Sequence, residues 1–71
     1  MKIRQFCTHT FEIINNDTPV KTHHIKRHEI GGGDWSYYVM QDEIYAPKAT
    51  KVSPCLDNLA QAVAWYEHNC Q

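Results

Sequence analysis

The sequence predicts an α+β fold: a three- to four-stranded antiparallel β-meander followed by one C-terminal α-helix packed on one face of the sheet. Three observations carry this. Residues 2–14 alternate polar and apolar side chains, the period of a strand. Two loop-forming clusters, Asn15-Asn16-Asp17-Thr18-Pro19 and Gly31-Gly32-Gly33-Asp34, then divide the chain into hairpin-length pieces. Past Ser53 the apolar residues recur at helical spacing.

The first strand is expected over residues 2–14. Ile3, Cys7, His9, Phe11 and Ile13 fall on one face and Lys2, Arg4, Thr8, Thr10 and Glu12 on the other, with Phe6 and Ile14 out of pattern. Asn and Asp tolerate the left-handed region and Pro19 lacks an N–H, so 15–19 reads as a turn, although Asn16-Asp17-Thr18 also matches a glycosylation pattern. The second strand is expected over 20–30, polar but rich in β-branched residues. The three glycines form a hairpin loop. They lack the Lys-Ser/Thr of a phosphate loop, and no helix follows them to receive an anion. Trp35-Ser36-Tyr37-Tyr38-Val39-Met40 makes the third strand at 35–40. A turn at Asp42-Glu43 leads to a short fourth at 44–46, ended by Pro47.

Ser53-Pro54 has the form of a helix start, an N-cap followed by a proline at the first helical position, so a helix is expected over 54–69. Leu56, Leu59, Ala60, Val63, Tyr66 and Cys70 would line its apolar stripe, leaving Trp65 about 140° from the stripe centre.

At 71 residues the chain has room for one domain, 1–71, with a core that supplies no more than about 3–5 kcal/mol of net stability. Hydrophobic residues at 42% and charged residues at 21% exclude disorder. The net charge of -1 gives no global case for nucleic acid or membrane, but the distribution is uneven. Lys2, Arg4, Lys21, Lys26 and Arg27 crowd residues 1–28 against only Glu12 and Asp17. Residues 29–71 are acidic, with Glu29, Asp34, Asp42, Glu43, Asp57 and Glu67 against Lys48 and Lys51. No stretch reads as a membrane span or a signal peptide. Three cysteines, Cys7, Cys55 and Cys70, are an odd number at irregular spacing, which points to a reducing, cytoplasmic setting. On one helix Cys55 and Cys70 would stand about 22 Å apart, too far to pair.

No metal, cofactor or catalytic residue is expected. His24 and His28 would share a zinc ion on a helix, but on a strand they stand about 13 Å apart. His9 reads as a hydrogen-bonded core histidine. A Cys beside a His would make a nucleophile pair, yet no signature supports one, and so small a domain leaves little room for a catalytic cleft. Cys55, at the second position of the expected helix, would have its thiol pKa lowered by the dipole.

Two binding readings remain. In the first, Trp65, Trp35, Tyr37, Tyr38 and Tyr45 form a protein-binding surface, because one helix covers one sheet face and leaves aromatic residues on the other. A homodimer is one form of this. In the alternative, Lys2, Arg4, Lys21, Lys26 and Arg27 contact phosphates while the strand aromatics stack on bases. A three-stranded sheet backed by one helix resembles the DNA-binding domain of plant AP2-type factors, whose sheet enters a groove, although the Arg- and Trp-rich strand motifs of that family are missing here. In size and layout the chain is similar to accessory proteins of bacteriophages and mobile elements, some of which inhibit host complexes by masking a surface. The expected function is therefore a small non-enzymatic protein-binding module.

Overall fold

The computed structural model describes residues 1–70. An antiparallel sheet of six strands is followed by one helix: β1 (Lys2–Cys7), β2 (Thr10–Asn15), β3 (Thr18–Pro19), β4 (His23–Gly31), β5 (Asp34–Gln41), β6 (Thr50–Lys51) and α1 (Leu59–Asn69). The sheet order is β1-β2-β4-β5-β6, with β3 pairing β2 beside the end of β4. The α+β meander is as expected from the sequence, but the strand count is six rather than three or four.

The first expected strand, 2–14, is a hairpin. Cys7 pairs with Thr10 across a two-residue turn at Thr8-His9, and the register shifts between Gln5 and Cys7. Neither turn residue has a positive φ. A turn of that kind splays its strands unless a bulge restores the twist, and Phe6 is the extra residue. The turn at Asn16-Asp17 is of the other kind: φ values of 50° and 63° suit a type I′ hairpin, a conformation Asn and Asp adopt at low cost.

The second expected strand, 20–30, is split. β3 pairs Ile14 with Pro19, and Val20 N–H still donates to the Ile13 carbonyl at 2.7 Å. The chain then bows outward through Lys21-Thr22 and rejoins β2 at Ile25, opposite Phe11. β4 and β5 form the longest pairing and close through Gly32-Gly33, whose φ values of 62° and 80° lie in the left-handed region that glycine enters without steric cost.

No strand forms at 44–46. Ala46 N–H donates to the Glu43 carbonyl in a turn, and the short last strand lies at Thr50–Lys51 instead. The helix begins at Leu59, not at residue 54. Residues 50–56 stay extended along the outer edge of β5, where Val52 N–H donates to Val39 O and Leu56 and Tyr37 exchange both backbone bonds. Ser53 is no cap: its hydroxyl oxygen accepts the Val39 N–H at 2.7 Å inside the core. Pairing this edge satisfies the β5 backbone groups, which a helix at 54 would leave open. Asn58 caps the helix, its side chain accepting from Gln61 N–H at 2.9 Å. The Gln61 side chain in turn accepts from Asp57 N–H at 2.9 Å.

The core is small: Phe11, Ile13, Ile25 and Val39 on the sheet meet Ala62 and Tyr66 on the helix. The buried stripe therefore runs through Ala62 rather than Ala60, which is exposed. Trp65 is half-buried against the same cluster, not on the far side of the helix. A start five residues later leaves Leu59, Ala62 and Tyr66, one turn apart, to meet the sheet. Among the described residues no helix is long and apolar enough to cross a membrane.

Candidate functional site: the Phe6–Tyr45 cleft

Alternation along β4 and β5 sorts the expected contact residues onto two faces. Arg27, Trp35 and Tyr37 lie on the helix side with Ile25 and Val39. Lys26 and Tyr38, directly cross-strand, lie on the other. The five aromatics therefore do not form one patch, and neighbouring Tyr37 and Tyr38 point apart.

On the helix side, towards the β4–β5 hairpin loop, Arg27 is surrounded by rings. Its guanidinium carbon is 4.0 Å from the Trp35 ring centre and 5.4 Å from that of Phe11. Its Nε donates to the Thr8 carbonyl at 2.8 Å and Nη1 to the Tyr37 hydroxyl at 3.2 Å. The ring of His9 meets the Trp35 edge, and His9 is exposed rather than in the core.

On the opposite face Lys51 Nζ lies 5.2 Å from the Tyr38 ring centre and donates to Cys55 Sγ at 2.9 Å. Cys55 lies outside the helix. Its thiol pKa is lowered by that ammonium and by Ser36, not by a helix dipole. Cys7 is lowered as well, chiefly by the Thr10 hydroxyl, whereas burial raises Cys70.

The basic residues are similarly dispersed. Arg4 is engaged by Glu12, its Nε and Nη2 both donating to Oε1 at 3.0 and 2.7 Å. Lys2 and Lys26 share that face, Lys21 stands in the bow between β3 and β4, and Arg27 is on the other side.

After β5 the chain turns through Asp42, at φ 94°, and crosses this face. The turn brings the Asp42 carbonyl within 2.7 Å of His24 Nδ1. Glu43, Ile44 and Tyr45 then form one wall of a cleft of about 220 Å³. Its other walls are Glu12, Pro19, Val20, Lys21 and His24. At its mouth Tyr45 meets Phe6 edge-to-face, with ring centres 5.6 Å apart. Tyr45 is 76% exposed and Phe6 43%, so a contiguous aromatic pair stands in solvent.

His24 forms part of the cleft floor and is 1% exposed. A carbonyl only accepts, so the bond to Asp42 puts the proton on Nδ1 and leaves Nε2 as a bare lone pair. Nε2 is buried without a hydrogen-bond partner. Burial also lowers the His24 pKa, which keeps the ring neutral.

The sequence named Tyr45 as a contact residue but missed Phe6 and His24. Phe6 carried a signal, since it broke the alternation of 2–14. His24 carried none, because its environment is made by residues 12, 20 and 42–45. Among the described residues no group of three or more His, Cys, Asp or Glu is placed to hold a metal ion. Comparison with protein-family models, with curated proteins and with solved structures returns no match for this chain.

Proposed function

We propose that this chain is a small, non-enzymatic protein-binding module whose contact surface centres on Phe6 and Tyr45 beside the cleft. The observation that carries the reading is this pair of solvent-exposed rings, stacked edge-on at the mouth of a concave site. Aromatic side chains held in place before binding lose little entropy on contact and supply much of the energy of interfaces. With only six buried hydrophobic residues among those described, exposing two rings is a cost that a partner would offset. Binding of this kind masks a surface on the partner and makes or breaks no bonds, as for the small accessory inhibitors of phages and mobile elements. An odd number of thiols fits action in a reducing compartment.

The test is affinity capture from the native host's lysate, half of it nuclease-treated, with wild-type protein and a Phe6→Ser/Tyr45→Ser variant whose fold is checked by circular dichroism. A protein retained in both halves and lost with the variant supports the reading. Equal retention by the variant, or retention of nucleic acid alone, overturns it.

A further inference from the structure

The polar groups in the cleft lining are mainly hydrogen-bond acceptors. Glu12 uses Oε1 for both Arg4 bonds and keeps Oε2 out of them, and its side chain is only 16% exposed. The Glu43 carboxylate borders the opposite wall. On the floor His24 Nε2 is an acceptor with no donor, in a ring whose neutral form burial favours. Pro19, Val20, Ile44 and Tyr45 supply apolar and aromatic surface, and Lys21 is the one cationic residue in the lining.

A ligand that suits these acceptors donates several hydrogen bonds, carries positive charge to meet Glu43 and presents a flat face to Tyr45. Anions meet the Glu43 carboxylate, the second oxygen of Glu12 and a lone pair; Lys21 is the cation in the lining, and the charge of Arg4 is taken up by Glu12. An ammonium has the charge, but it is strongly hydrated and gains little from the apolar walls. A guanidinium has five donors in a plane, no acceptor, and weak hydration. The volume, about 220 Å³, is below the roughly 300–1,000 Å³ of clefts that take drug-sized molecules and suits one long side chain. We propose that the cleft receives the guanidinium of an arginine side chain presented by the protein partner. The carboxylates of Glu12 and Glu43 and Nε2 of His24 act as acceptors, and Tyr45 stacks on the cation. This rests on the protein-binding reading and names the chemistry its partner brings. Nε2 has no accessible surface, so an entering N–H reaches it only with a small displacement of the cleft wall.

The experiment is titration of ¹⁵N-labelled full-length protein with N-acetyl-arginine methylamide. The readouts are the backbone amides of Glu43 and Tyr45 and the His24 ring nitrogens. The lysine analogue and the uncharged, nearly isosteric citrulline analogue serve as comparisons. The expected result is saturable shifts at all three residues with arginine, binding at least tenfold weaker with lysine or citrulline, and a loss of about tenfold in Glu43→Gln. Glu43 is exposed, so that variant keeps the fold. Absence of saturation, equal binding of lysine or citrulline, or an unaltered Glu43→Gln overturns the assignment. If capture depends on Phe6 and Tyr45 but arginine does not bind, the cleft assignment falls and the protein-binding reading stands. If arginine binds but no partner depends on the rings, the reverse holds.

Discussion

The guanidinium carbon of Arg27 lies 4.0 Å above the centre of the Trp35 ring, with Tyr37 and Phe11 closing around it. This pairing clamps β4 to β5 towards their hairpin loop. It also holds the Thr8-His9 turn, because Arg27 Nε donates to the Thr8 carbonyl. Replacing Arg27 by Lys should therefore lower stability by about 1–2 kcal/mol, since an ammonium cannot both stack and fork its donors. In a Trp65→Phe background the Trp35 fluorescence should shift at the same time. Unchanged stability would show the stack to be incidental.

Acid should unfold this protein through His24. Its pKa is lowered in the folded state, chiefly by burial, from an ordinary value of about 6.5. The unfolded chain then binds the proton more tightly. The His24 contribution is present above about pH 6.5 and is lost as pH falls through the folded value. Thermal melts from pH 7.5 to pH 5 should show a falling Tm. His24→Asn, which retains a donor for the Asp42 carbonyl, should flatten that slope. An equal slope in the variant would assign acid sensitivity to the other ionisable groups.

Ser53 and Asn58 separate two accounts of where the helix starts. Ser53→Ala should cost about 1–3 kcal/mol, because Val39 N–H is left buried without its acceptor. Asn58→Ala should cost about 1 kcal/mol by removing the cap. Hydrogen exchange distinguishes the two: Ser53→Ala should expose the Val39 amide, and Asn58→Ala the amide of Gln61. Exposure of the Gln61 amide by Ser53→Ala would return the cap to Ser53.

The thiols should differ in reactivity. Iodoacetamide near neutral pH should modify exposed Cys55 well before half-buried Cys70. Lys51→Met should slow Cys55 without changing Cys7. Peptide mapping by mass spectrometry reads all three, and an unchanged Cys55 rate would remove the role given to Lys51.

Ile25 is fully buried and joins β4 to the core. Truncation to Val should cost about 0.5–1.5 kcal/mol, and truncation to Ala about 2–5 kcal/mol. The second is comparable with the whole stability of a domain this size. Urea titration should show a shifted midpoint for Ile25→Val and a largely unfolded Ile25→Ala. A fully folded Ala variant would show that the sheet relaxes around the gap.

The sequence displayed what is local. The alternation of 2–14, the Asn16-Asp17 turn, the three glycines and the β-rich 35–40 segment all correspond to features of the sheet. The Thr8-His9 turn was hidden because it contains no Gly, Pro, Asn or Asp and draws its twist from the bulge at Phe6. Ser53-Pro54 looks like a cap, and local preference alone does not reveal that the Ser53 hydroxyl is engaged by Val39 across the sheet. The Lys26-Arg27 pair read as one basic patch, but consecutive strand residues occupy opposite faces. Tyr45 was named as a contact residue, but on a strand expected at 44–46 that does not form. Its neighbours Phe6 and His24, and the cleft they share, depend on a crossing by residues 42–45 that no short-range pattern encodes.

The strap formed by residues 50–56 also bears on how copies of this molecule behave at high concentration. With most of the flank of β5 covered, β1 and the two-residue β6 are the outer strands of the sheet, and β1 is the longer of the two. An antiparallel two-fold pairing centred on Arg4 would bring two Arg4 residues together and set each Lys2 across from a bulged Phe6. Like charge and a broken register both oppose strand addition at the β1 edge.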